Sequence, residues 1–212
     1  MELDGMERLI SDVKKLKNSE VSRLVKARMA EFKRKGEASE EEIFKELCFC
    51  LLTANFSAEG GIRIQNALDD GFICLPEEEL ANRLRELGHR YPRARAKYIV
   101  EARKLLGRLK SEISRRDPLS LREWLVKNVR GLGYKEASHF LRNIGFEDLA
   151  IIDFHILDLL ERYGIVEKPK TLTKRRYLEI ENKLRKIAKR SETSLGELDL
   201  YLWYLETGKI LK

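Results

Sequence analysis

From Leu121 to Ile144 the chain passes between two apolar helical stripes through Val-Arg-Gly-Leu-Gly-Tyr-Lys, and this passage constrains the fold most. On its near side Leu121, Trp124, Leu125 and Val129 share one helical face; on its far side Ala137, Phe140, Leu141 and Ile144 do the same. The pattern is helix, glycine hairpin, helix. Gly131 and Gly133 permit positive φ and remove Cβ atoms, so amides at the start of the next helix can face a phosphate oxygen. Taken alone, the link reads equally as an ordinary helix–helix turn closed by a glycine C-cap.

Helical patterning continues through the whole chain, and period-two alternation is rare. The four prolines and most glycines fall between helical stretches. Residues 6–35 read as one long or broken helix, interrupted at Asn18-Ser19 and stopped by Gly36. Ser39 with Glu42 forms a capping box for a helix through Ile43 to Ala54. Gly60-Gly61 is expected to punctuate before a short helix ending at Asp70, and Pro76 followed by three glutamates opens another. A basic helix is expected from Tyr91 to Leu109, and Asp117-Pro118 caps the helix that precedes the hairpin. Asp153 reads as the N-cap of a helix stopped by Gly164, a basic helix spans 173–190, and Ser194 with Glu197 caps the last one, to Thr207. The fold class is therefore all-α.

The net charge of +7 favours polyanionic partners, although many basic proteins bind none. A hydrophobic fraction of 43% excludes disorder, and no apolar run reaches membrane-spanning length. The N-terminus has neither a basic region nor a continuous apolar core, so a secreted protein is not expected. Cys48, Cys50 and Cys74 are odd in number and have apolar neighbours, which suits buried thiols in a reducing cytoplasm rather than a disulfide framework.

Lys135 falls in the first turn after the hairpin, where the helix dipole disfavours a positive charge. That repulsion with partial burial would lower its pKa and favour the neutral amine that a nucleophile needs. A phosphate-binding or solvated lysine fits the position as well. Asp153 follows eighteen residues later. It is either simply an N-cap or a carboxylate held ionised by the same helix end, able to steady positive charge on a sugar or shuttle a proton. His155, in the same turn, is a weaker candidate for phosphate contact, since a lone histidine is more often structural. Asp199 and Trp203 lie four apart on the last helix, on a face other than the Leu195, Leu198, Leu202, Leu205 stripe. They either border something besides the core or pair a half-buried aromatic with a surface acid.

With these residues in place, the chain resembles the helix–hairpin–helix superfamily of DNA glycosylases, and most closely its archaeal-type 8-oxoguanine DNA glycosylase/AP lyase branch. The resemblance covers nearly the whole length and rests chiefly on the Gly-x-Gly hairpin with Lys135 and Asp153. It implies two helical lobes with the active-site cleft between them: residues 37–147, containing the hairpin motif at about 118–144, and residues 1–36 with 148–212. It implies that Lys135 attacks C1′, expels 8-oxoguanine and forms a Schiff base that permits β-elimination, while Asp153 assists base departure. Leu51-Leu-Thr-Ala-Asn55 is similar to the segment whose amide residue fills the gap left by the extruded nucleotide, so Asn55 would hydrogen-bond the orphaned cytosine. Tyr91 and Trp203 match stacking positions; Asp199 and the C-terminal Lys212 match contributors to the base pocket. Without the resemblance, Asn55 is equally a turn residue.

Extrusion is required because the glycosidic bond is unreachable inside the duplex, and it costs a few kcal/mol of stacking. Arg90–Lys97 and Lys168–Arg176 are candidates for backbone contact, and solvated helix faces explain them equally. Some superfamily branches carry four clustered C-terminal cysteines for an iron–sulfur cluster; here the last cysteine is Cys74, so none is expected. Cys48-Phe-Cys50 lacks zinc-ligand spacing. No resident metal or redox cofactor is expected beyond a monovalent cation at the hairpin. The expected partner of a monomeric enzyme is double-stranded DNA containing 8-oxoguanine, with no membrane. Two alternatives stay open: a glycosylase for oxidised pyrimidines, and a non-catalytic DNA-binding module that uses the hairpin only to hold backbone.

Overall fold

The computed structural model describes residues 2–212, and every regular element among them is helical. In chain order these are α1 (Glu2–Lys17), α2 (Val21–Glu37), α3 (Glu40–Thr53), α4 (Ala58–Leu68), α5 (Gly71–Cys74) and α6 (Glu77–Glu86). Then follow α7 (Pro92–Ala102), a 3-10 turn at Arg103–Leu105, α8 (Leu109–Ser114), α9 (Pro118–Asn128) and α10 (Tyr134–Asn143). The chain closes with α11 (Phe154–Arg162), α12 (Lys174–Ser191) and α13 (Leu195–Thr207). No helix among the described residues is long and apolar enough to cross a membrane.

The chain divides into two compact units, one of Arg34–Ile144 and one of the residues up to Lys33 with Gly145–Lys212. Each crossing lies a few residues before the sequence-based boundaries at 36/37 and 147/148. The 34–144 unit is built on α3, which buries every residue from Ile43 to Thr53 and is packed by α4, α5, α7, α8 and α10. Ser39 caps α3 by accepting the Glu42 N–H at 3.3 Å. The α3–α10 seam holds a buried polar chain. Glu46, 1% exposed, accepts from Asn143 Nδ2 at 2.7 Å and Gln65 Nε2 at 3.2 Å, and Arg142 Nε donates to Asn143 Oδ1 at 3.0 Å. A buried carboxylate is tolerable only when hydrogen-bonded in this way, so the seam also fixes the register of α10. Arg122 on α9, also buried, donates to Ser138 Oγ at 3.2 Å and so ties the two hairpin helices together.

In the other unit α12 packs on α1 and α13, and α13 also packs on α1 and α11. Asp153 caps α11 by accepting the Ile156 N–H at 2.9 Å; Ser194 and Glu197 form a reciprocal capping box on α13. Each cap satisfies amides that a helix start would otherwise leave open.

Some elements depart from expectation. Gly60-Gly61 lie inside the first turn of α4, where a Cβ would meet the Phe56 ring at 2.5 Å and Phe49 at 3.0 Å; these glycines serve close packing, not punctuation. Gly36 likewise lies within α2, because a Cβ there would meet the Ile144 carbonyl at 2.1 Å. The basic helix stops at Ala102, since Gly107 at φ +88° turns the chain before α8. Cys48 and Cys50 are buried, and burial pushes the Cys48 thiol up. Cys74, at the end of the one-turn α5, is instead exposed.

Candidate active site

The hairpin separates α9 and α10 by five residues, 129–133. Gly131 adopts φ +85°, and a Cβ there would sit 2.3 Å from Tyr98 Cδ2, so this position demands glycine twice over. Gly133 differs: its φ is −90°, and its added Cβ would meet only the Glu136 carboxylate, at 3.0 Å. Its N–H donates to Glu136 Oε2 at 3.2 Å, so in the free protein a side-chain carboxylate takes the amide expected to face phosphate. Gly131→Ala is expected to destabilise the protein by about 2–3 kcal/mol, from left-handed strain plus the Tyr98 clash. A denaturant midpoint shift measures this, and an unchanged midpoint would contradict it.

Lys135 occupies the first turn of α10 with its side chain 20% exposed, and its Nζ lies 3.9 Å from Glu136 Oε1. Glu136 therefore touches both the hairpin amide and the amine. Sequence reasoning passed over it as one more acid in a charged chain. Its position three residues after Gly133, where a capping-box carboxylate belongs, was the available signal.

Asn55 is exposed and stands at φ +59°, a left-handed conformation that asparagine adopts more readily than most residues. Two side chains hold the flanking backbone. Arg95, 7% exposed, donates through Nη2 to the Ala54 carbonyl at 2.6 Å. His89, 4% exposed, lies 3.0 Å through Nε2 from the Leu52 carbonyl, and its Nδ1 accepts the Tyr91 N–H at 3.0 Å. The Arg95 guanidinium also faces the Tyr91 ring at 5.9 Å and the Tyr98 ring at 5.7 Å. Tyr98 in turn abuts Gly131, so Asn55, Tyr91 and the hairpin belong to one packed network. His89 and Arg95 had no sequence signal beyond residue type, because their partners are backbone carbonyls 37 and 41 residues away.

The 145–212 unit carries the remaining candidates. Asp153 is half-buried; Oδ1 caps α11 and Oδ2 has no hydrogen-bond partner among the described residues. Beside it Phe154 is 59% exposed and covers the His155 ring at 4.1 Å. His155 then meets the Trp203 ring edge-to-face at 5.0 Å and 87°. The Trp203 indole N–H is buried without an acceptor among the described residues. Asp199 is half-buried on α13, and Lys212 is half-buried at the chain end. Leu195, Leu198 and Leu202 are buried, as a core stripe should be, while Leu205 is only half-buried.

The two basic runs differ. Lys168 pairs with Asp158, and Arg175 and Arg176 both pair with Glu179, so much of that run is spent on the protein's own acids. On α7, Arg93 and Lys97 are exposed and make no ion pair among the described residues, while Arg130, next to Gly131, pairs with Glu101 at 3.2 Å and stacks on Tyr98 at 5.3 Å. The α7 run therefore keeps more of its positive charge available than the 168–176 run does, where Lys170 is exposed without an ion pair among the described residues.

The family model for 8-oxoguanine DNA glycosylase matches residues 25–193. A Korarchaeum cryptofilum protein named 8-oxoguanine DNA glycosylase/AP lyase is 64% identical over 210 residues, covering 98% of this chain and all of its own. The crystal structure of the Methanocaldococcus jannaschii 8-oxoguanine glycosylase/lyase, in complex with a 15mer DNA containing 8-oxoguanine, superposes with a TM-score of 0.94 at 54% identity. It covers 97% of this chain and 100% of that one. The 8-oxoguanine DNA glycosylase of Thermotoga maritima gives a TM-score of 0.92 at 55% identity, with 98% and 100% covered.

Proposed function

The chain belongs to the 8-oxoguanine DNA glycosylase family, and from that membership we propose that it excises 8-oxoguanine from double-stranded DNA and then cleaves the strand at the resulting abasic site. The observation that carries this reading is Lys135 itself: a partly shielded amine beside the Gly131 hairpin, inside the span that the family model matches.

In the first step the Lys135 nitrogen forms a bond to C1′ as the N-glycosidic bond breaks, and the base departs with the bonding pair and takes up a proton. Asp153 steadies the positive charge that develops on the sugar and assists the proton movements. Opening of the sugar ring gives a Schiff base on Lys135. Loss of a C2′ proton then breaks the C3′–O bond and releases the 3′ strand segment. Water hydrolyses the imine and returns the free amine. Asn55 takes the gap opposite the orphaned cytosine, its amide offering both a donor and an acceptor. Tyr91 and Trp203 supply the aromatic faces for the base, with Asp199 and Lys212 contributing polar contacts. Gly131, Gly133 and His155 serve the phosphate backbone, and the Gly133 amide becomes available once Glu136 releases it. The enzyme acts in the cytoplasm, on nucleoid DNA.

Borohydride reduction during turnover tests this reading. An 8-oxoguanine·cytosine duplex is expected to give a covalent protein–DNA adduct, and a thymine glycol duplex to give little. No adduct with the former would overturn the Schiff-base reading. Preferential trapping of the latter would move the substrate to oxidised pyrimidines, and salt-sensitive binding without base release would leave a DNA-binding module.

A further inference from the structure

His89 lies outside the residues that the proposed chemistry uses, yet it is buried between the segments that lead to two of them, Asn55 and Tyr91. Its Nε2 faces a carbonyl, Leu52 O, which can only accept; Nε2 must therefore carry the proton. Its Nδ1 faces the Tyr91 N–H, which can only donate, so Nδ1 must be bare. Both contacts, each 3.0 Å, are met by one protonation state alone, the neutral Nε2–H tautomer. The ring is further pinned by Phe56, whose centroid lies 4.3 Å away, and Phe56 reaches there because Gly60 offers no Cβ to stop it.

We propose that His89 is a positioning residue for base extrusion: its imidazole bridges the last turn of α3, three residues before Asn55, to the backbone of Tyr91, so that the gap-filling amide and the base-stacking ring keep a fixed spacing. This deepens the reading above and rests on it, since it presumes that Asn55 and Tyr91 engage the nucleotide pair.

The bridge is sensitive to acid. Burial is the main influence and holds the imidazole below the ordinary histidine value of about 6.5; the Leu52 carbonyl opposes this, and the Arg95 charge on α7 adds to it. Arg63 of α4, on the Leu87 carbonyl at 3.0 Å, and Arg90, 5.1 Å from the Tyr91 ring centroid, are further cations at this turn. A histidine depressed in the fold favours the folded state above its unfolded value. That contribution is lost as pH falls through the lower, folded value, because the unfolded chain takes the proton first. Once protonated, Nδ1–H points at the Tyr91 N–H and the bridge opens on the Tyr91 side.

His89→Gln cannot take up this proton and cannot span both partners. Single-turnover release of 8-oxoguanine should fall about tenfold or more in this variant, while cleavage of a preformed abasic-site duplex changes less than about threefold, because the Tyr91 ring meets a damaged base only in the first and Arg95 still holds the Ala54 carbonyl beside Asn55 in both. The ratio of base release to abasic-site cleavage, in which the shared need for a neutral Lys135 amine cancels, should decline with acid in wild type and stay flat in His89→Gln. Equal losses in both activities, or an acidic decline of that ratio that survives in His89→Gln, would overturn the proposal. If His89→Gln does not fold, nitrogen NMR of wild type decides: the Nε2–H tautomer titrating together with base release supports the bridge, and the Nδ1–H tautomer or an unlinked titration overturns it. Lys135→Gln serves as the control. Should it keep both activities, the underlying reading fails; should it lose them while His89→Gln shows no selective loss, only the bridge fails.

Discussion

Lys135→Gln is expected to abolish borohydride trapping altogether and to slow release of 8-oxoguanine by about four orders of magnitude, with strand cleavage lost in parallel. A glutamine amide is neither nucleophilic nor able to form an imine, so any residual release must come from water. The variant should nevertheless fold. Lys135 stands in the first turn of α10, where a positive charge opposes the helix dipole, and removing it returns about 0.3–1 kcal/mol. Against that stands the loss of its pairing with Glu136, an ion pair at 3.9 Å worth at most about 1 kcal/mol. The two effects nearly cancel, so thermal midpoints should agree closely and separate chemistry from folding. An adduct formed by Lys135→Gln, or full base release without one, would remove Lys135 from the mechanism. Duplex affinity should change only slightly, because the exposed cations Arg93 and Lys97 remain.

How much of this was legible beforehand depends on the range of the interactions. The caps at Ser39, Asp117, Asp153 and Ser194 were readable because a helix start is a contest among residues three or four apart. Lys135 and Asp153 were readable as candidates because dipole and capping arguments are equally local. The glycines were read less well. Gly131 needs both its φ of +85° and its missing Cβ, whereas Gly36, Gly60 and Gly61 exist only to admit a carbonyl or an aromatic ring from elsewhere in the fold. No periodicity announces a neighbour of that kind. The same holds for His89 and Arg95, whose partners are main-chain carbonyls that any sequence would supply. It holds too for the 168–176 run, equally readable as a DNA contact or a solvated face, where Asp158 and Glu179 neutralise Lys168, Arg175 and Arg176. Gly133 shows the opposite error in one respect, since its φ of −90° needs no glycine where a positive φ was expected.

Asp153→Asn separates the two roles that this position fills at once. As an N-cap, Asp153 accepts the Ile156 N–H at 2.9 Å through one oxygen, and asparagine caps a helix as well as aspartate does. Stability should therefore change by no more than about 0.5 kcal/mol. The second oxygen, without a hydrogen-bond partner among the described residues, is the one able to face a developing cation, and an amide there offers no negative charge. Base release should fall by about 10²–10⁴-fold, the range expected when an acid–base or charge-stabilising group is lost. Asp153→Ala completes the comparison. It should show the same loss of rate and, in addition, about 1 kcal/mol of destabilisation from the vacated cap. The decisive readout is the pair of ratios, rate against stability, in the two variants measured side by side. If Asp153→Asn excised 8-oxoguanine at the wild-type rate, Asp153 would be a helix cap and nothing more. The charge stabilisation would then have to come from Glu136, which already lies beside the Lys135 amine.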